Sequence, residues 1–163
     1  MTIEVLGLGD LRKSFAGLRD DMKMKTALRM VASAGSVLRT EAKRIAQSRG
    51  LRKSGAMIRN IAIKRERRAP AGTTQYNLGV RHGRHLGNGK KVVKFLALSK
   101  RGRIVTRREN DPFYWRYIEL GTKHIKAEKF IQQATENKRA EAIAAMEKRL
   151  QQDIEKASRL ATK

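Results

Sequence analysis

Cysteine is absent from the 163-residue chain. That excludes disulfides, thiolate nucleophiles and zinc sites built on sulfur. It also fits synthesis in a reducing cytoplasm. Aromatic residues are few: four Phe, three Tyr and one Trp. With 40% apolar content, they suffice for one modest core at this length. Oligomerisation or a partner surface would then add to stability. No apolar run approaches the roughly 18 residues of a membrane span, and the N-terminus lacks the basic-then-apolar pattern of a signal peptide. The expectation is therefore one soluble domain over 1–163, without membrane contact. Acids are also scarce, 15 Asp and Glu against 38 Lys and Arg, a net charge of +23. A field of that strength implies an anionic partner: nucleic acid, an acidic protein surface, or both.

Catalytic constellations are missing as well. His82-x-x-His85 has a helical metal spacing, but Gly83 and Arg84 lie between in turn material. Neighbouring cations disfavour a bound cation there. Gly89-Lys90 resembles part of the phosphate loop, yet Arg84 and Lys91 stand where that motif needs Gly and Ser or Thr. No Ser-His-Asp order suggests a nucleophile. Glu119 is a conceivable general base, but a lone Glu beside Tyr114 and Tyr117 reads first as structural. The expectation is no catalytic residue, no metal, no cofactor and no enzyme.

The periodic signals read as an α+β fold: two N-terminal helices, a small antiparallel sheet of three or four strands with basic hairpin tips, and a long C-terminal helix. Asp10 can cap a first helix carrying Leu11, Phe15, Leu18 and Met22. Asp20-Asp21 and Lys23 to Lys25 mark a break or kink. Met24, Leu28, Val31, Gly35, Leu38, Ala42 and Ile45 then recur at helical spacing. Ala32, Ala34, Gly35 and Ser36 would let another backbone approach closely. Gly50 ends this helix. Met57 to Ile63 reads as a strand, with a helical start as the alternative. Tyr76, Leu78 and Val80 alternate, Val92, Val93, Phe95 and Ala97 follow, and Ile104-Val105 is a shorter run. Asn88-Gly89 and Lys100-Arg101-Gly102 mark tight reversals. The last helix spans about Ala127 to about Ala161. Its apolar stripe includes Phe130, Ile131, Ala134, Ile143, Met146, Leu150 and Ile154, and Asp153 sits on the solvent side near Lys156.

From Arg49 to Arg108 there are 18 Lys or Arg, and Glu66 is the only acid. A basic face without interleaved aromatics suits contact with a phosphate backbone rather than base reading. Docking on an acidic protein ring is the alternative. The candidate anion contacts are Lys64, Arg65, Arg67, Arg68, Arg81, Arg84, Lys90, Lys91, Arg101 and Arg103.

Five of the eight aromatics crowd into one stretch, Phe113, Tyr114, Trp115, Tyr117 and Phe130. Read helically, Tyr114, Tyr117, Ile118 and Gly121 share a face, with Trp115 beside it. Gly121 offers a left-handed helix stop. Glu119, flanked by cations, is placed to hold a partner or cap a turn. This stretch is a core-forming helix–turn corner, and its functional reading is a subunit contact through Tyr114, Trp115, Tyr117, Glu119 and Phe130.

The order Tyr114, Tyr117, Ile118, Glu119, Leu120, Gly121, Thr122, then Ala127, Phe130 and Ile131 and a long helix, resembles the signature of the tail-completion, or minor-tail, proteins of lambda-like siphophages. A weaker upstream match places Ser54, Gly55, Met57, Asn60 and Ile61 at a second family pattern. In organisation the resemblance covers nearly the whole chain. It departs at Glu128-Lys129, where the family usually carries Arg-Pro. The resemblance implies a structural virion protein, made in the host cytoplasm, that completes the head-proximal end of the tail and takes part in head–tail joining. It implies a homo-oligomer, a hexameric ring around the DNA channel, with the tail terminator or tube and the head-closure proteins as neighbours. The rival from another class is a free, non-specific nucleic-acid-binding protein.

Overall fold

A computed structural model describes residues 20–51, 55–83 and 93–161. The first expected helix, with Leu11, Phe15 and Leu18, lies outside these residues, as do Ser54, His85, the Asn88-Gly89 turn and Val92. Helix α1, Asp20–Ser48, is continuous, so the break expected at Lys23 to Lys25 does not occur. Thr26, Met30 and Ala34 are buried toward the C-terminal helix, and Ala42, Ile45 and Ala46 lie in the main core.

Two partners flank α1, which explains why one stripe did not capture its buried face. Toward the C-terminal helix, Met30 packs with Leu150, Met146 and Ile154, and the Ser33 hydroxyl donates to the Ala145 carbonyl at 3.1 Å. Toward the strands, Gly35 meets Ile63, where a Cβ would stand 3.0 Å from that side chain. Met24, expected in the stripe, is 44% exposed.

After Gly50 and Gly55, both at positive φ, comes the short helix α2, Ala56–Asn60, then β1, Ile61–Arg65. The run from Met57 thus starts helical. Buried Asn60 ties off the helix by donating from Nδ2 to the Ala56 carbonyl at 2.8 Å. Strand β1 pairs antiparallel with β2, Tyr76–Val80, in the register Ile61 to Val80 and Ile63 to Leu78. Among the described residues strand β3, Val93–Leu98, pairs antiparallel with β4, Ile104–Glu109, and with no other strand. The expected sheet of three or four strands is therefore two separate two-stranded ribbons. The alternation of each strand was legible, but nothing in it told which strands would share hydrogen bonds.

Helix α3, Trp115–Leu120, leads through Gly121 to α4, Phe130–Asn137, and α5, Arg139–Ala161. The single long C-terminal helix is thus broken at Lys138, which leaves helical geometry at φ −114°. No Gly or Pro marks this break. Buried Glu41 of α1 sits beside it, hydrogen-bonded to Asn137. Asp153, expected on the solvent side, is 1% exposed. It faces α1 between Arg29 and Arg149, each 3.3 Å away.

Candidate functional site

The corner is built from the inside outward. Phe130 is fully buried with Ile45, Met57, Ile61 and Ala134, and Tyr114, Trp115 and Ile118 pack against that cluster. The Glu119 carboxylate is only 9% exposed. It accepts hydrogen bonds from the backbone N–H groups of Ile131 at 3.0 Å and Gln132 at 3.1 Å. A carboxylate at the first turn of a helix satisfies orphan donors and opposes the positive end of the dipole. Glu119 therefore caps α4 from α3, the turn-capping role expected of it. Lys129, which enters α4 at φ 46°, adopts a backbone closed to proline.

Gly121 closes α3 with its N–H bonded to the Tyr117 carbonyl at 3.0 Å. It stands at φ 77°, ψ 172°, a region nearly reserved for glycine rather than the left-handed helical stop expected. A Cβ there would lie 2.9 Å from the Ala127 nitrogen. Arg49, from the end of α1, donates to the Glu128 carbonyl and to the Gln133 side chain, so the corner is also tied to the N-terminal helix.

These duties divide the expected contact residues. The Phe130 side chain has no surface left for a neighbour, and the carboxylate of Glu119 is engaged inside the chain. Tyr114 and Trp115 are half-buried against the core. Tyr117 does not join their face: it is 52% exposed. Phe113, Leu120 and Ile125, not read as contacts from the sequence, are 51%, 77% and 47% exposed. Tyr117 and Leu120 stand three apart on α3, and Phe113 lies in the turn just before it. The corner thus has an inward face that folds the chain and an outward apolar face. The three-residue spacing of Tyr117 and Leu120 could have revealed the outward side of α3.

Beside the corner, on the face of β1–β2 turned away from α1, lies a trough of about 580 Å³. Its lining includes Ala62, Gly79, Lys64, Arg81, His82, Trp115 and Arg116. Ala62 and Gly79 are register partners, so the trough is deep where side chains are smallest. The indole of Trp115 borders Gly79, 3.7 Å from where a Cβ would stand. The Arg116 guanidinium lies over the indole at 5.6 Å from the ring centroid, and the His82 ring is 6.5 Å from it. The fold thus brings Lys64 and Arg81, read as anion contacts, together with Trp115, read as a subunit contact. Arg116 and His82 join them.

The other cations are distributed. Arg65, Arg67 and Arg68 are exposed at the far end of β1 and in the turn after it. Glu66, the lone acid of the basic section, organises that turn, accepting from the Arg68 N–H at 3.1 Å and the Asn77 amide at 3.2 Å. Arg101 and Arg103 are exposed in the β3–β4 reversal, which Gly102 turns at φ 71°. Arg84, Lys90 and Lys91 lie outside the described residues. The stem of the β3–β4 ribbon carries exposed Leu96, Leu98 and Ile104 at 73%, 70% and 73%. Leu98 and Ile104 are register partners.

Electrostatic perturbation is concentrated elsewhere. Buried Glu41 receives a two-pronged bond from Arg44 at 2.8 and 2.7 Å. That fork, helped by Asn137 and the charges of Arg44 and Lys138, holds the Glu41 carboxyl at about 2 although burial works the other way. This is a latch between α1 and the α4–α5 break, beside a shallow cleft that Glu41 lines with Thr40, Lys138 and Glu141. Among the described residues no cluster of three His, Cys, Asp or Glu could hold a metal ion, and no helix is long and apolar enough to cross a membrane. No family model, curated protein or solved structure matches the chain.

Proposed function

We propose that the protein is a non-enzymatic structural part of a virion, a ring-forming subunit at the head-proximal end of a siphophage tail. The observation that carries this reading is the two-sided corner. Its inward face locks α3 to α4, and its outward face leaves Phe113, Tyr117, Leu120 and Ile125 uncovered. Large apolar side chains exposed this close together in one short stretch support a protein contact site. Tyr117, together with the three residues beside it, takes over the subunit contact first assigned to Tyr114, Trp115, Glu119 and Phe130.

The family pattern gains support from how its residues work together. Tyr114, Ile118, Glu119, Gly121 and Phe130 form one clasped unit, and Gly55, Met57, Asn60 and Ile61 of the second pattern lie at the same core or its edge. In this reading each subunit meets its neighbour through the corner in a closed, hexameric ring. The β3–β4 ribbon reaches toward the tail terminator, tube or head-closure proteins, and the basic face looks onto the DNA channel.

Light scattering and cryo-EM of purified virions test the proposal. The full chain should run as a stable oligomer, and Tyr117→Ser with Leu120→Ser should dissociate it without unfolding it. A monomeric wild type, or absence of the chain from phage particles, would sink the reading. The second reading, a free nucleic-acid binder, is favoured only by the cationic trough and predicts a monomer.

A further inference from the structure

We propose that the trough on the outward face of β1–β2 holds phosphate groups of a nucleic-acid backbone, with Arg116 as its braced fork. The inference deepens the reading above and rests on it only in giving the basic face an anionic partner. Three observations carry it. Lys64, Arg81, His82 and Arg116 line the trough, and among the described residues no carboxylate does. The acids nearest these cations in sequence are engaged elsewhere: Glu66 by Arg68 and Asn77, Glu119 by the first turn of α4, and Asp111 by the Gly83 N–H. Among the described residues no ion pair engages Lys64, Arg81 or Arg116.

Arg116 is also held in place. A guanidinium over an indole is attracted to the ring face, and an arginine fixed that way loses less freedom when its planar donors grip a phosphate. Trp115 is itself anchored on the core, so the brace is part of the fold. The floor of Ala62 and Gly79 lets a thin chain come close to the strands.

Nucleic acid fits better than an acidic protein because the cations continue past the trough. Arg65, Arg67 and Arg68 extend them beyond the far end of the ribbon. The five-residue strands span roughly 17 Å, and a DNA strand offers one phosphate per roughly 3.4 Å of helix axis. A regular polyanion meets each cation in turn, whereas a folded acidic surface would need separate carboxylates opposite each.

Trp115 is the only tryptophan, so fluorescence of the intact chain reports on the trough. Duplex DNA should change the emission saturably. Lys64→Ala with Arg116→Ala, both at exposed positions, should weaken duplex binding about tenfold and lower the salt slope by about 2, near 0.9 per lost phosphate contact. The charge-matched control, Lys148→Ala with Lys156→Ala on α5, should change affinity by less than about twofold. Circular dichroism confirms that each variant is folded. An equal loss in the control pair, or a silent indole, overturns the proposal. So does tighter binding of polyglutamate than of duplex at equal charge. Saturation by inorganic phosphate alone, with no gain from duplex, makes this a small-anion site and overturns the backbone assignment. A monomer that binds duplex through the trough leaves this inference standing while the ring fails. A stable ring with a DNA-silent indole does the reverse.

Discussion

The aromatic corner and the β3–β4 ribbon are both short and both display large apolar side chains, yet they stand on opposite terms with the core. The corner is over-determined: Phe130 fills the core, Glu119 caps α4, Gly121 sets the reversal and Arg49 ties it to α1. The ribbon has its own ladder and no comparable packing on another described element. A two-stranded hairpin alone is marginal in water. Similar side chains therefore stabilise the chain in one place and await cover in the other, because burial and not residue type confers stability.

Removing the anchor should have the largest effect on that contrast. Phe130→Ala should lower unfolding free energy by about 3–5 kcal/mol in denaturant titration. A loss under about 1 kcal/mol would mean that the corner does not depend on the core. Next comes the reversal: Gly121→Ala should cost roughly 3 kcal/mol through its backbone region and the crowding by Ala127. If thermal melts barely move, the turn geometry described here is wrong.

Glu119→Ala should cost about 2 kcal/mol, because the cap carries two charge-assisted bonds from backbone donors. Glu119→Gln should cost less, since its amide oxygen keeps one acceptor. Equal losses would point to packing instead of capping. The smallest folding effect belongs to the ribbon. Leu98→Ser with Ile104→Ser should change monomer stability by no more than about 0.5 kcal/mol while reducing association with a partner or second copy in light scattering or cross-linking. A large folding defect would show that the stem is already covered by its own chain.

Acid adds a probe from a third place. The Glu41 carboxyl is depressed to about 2 from its ordinary 4.5. Its contribution to stability is therefore fully present above about pH 4.5 and is lost as pH falls toward 2. In Glu41→Gln that part of the acid sensitivity should vanish. An unchanged acid-unfolding profile would count against the latch, and the corner should not respond to the substitution.

Much of the corner was legible beforehand. The clustered aromatics and the end of α3 at Gly121 followed from local pattern, although not the backbone region of Gly121, and local pattern left Glu119 open between a partner contact and a turn cap. The face of Tyr117 did not, because a four-residue reading of a short helix leaves its rotation open by more than one side chain. Phe130 was read both on the apolar stripe and as a contact, because a stripe does not tell whether its own chain or a neighbour covers it. The trough could not be read in advance: Lys64, Arg81 and Trp115 are separated in the chain, and only the pairing of β1 with β2 and the seating of α3 bring them together. Asp153 looked like a surface acid because its second partner, Arg29, lies 124 positions away.

The sequence alone determined the charge of the chain, its lack of thiol chemistry, the helical or extended habit of most segments and the places where the backbone must reverse. These are set by residues acting on near neighbours. The tertiary structure decided which side of each element is covered, that the strands form two ribbons, and which cations gather around the indole. Periodicity fixes the angle at which a side chain leaves its own axis, but not what stands opposite, and that depends on contacts between residues far apart in the chain.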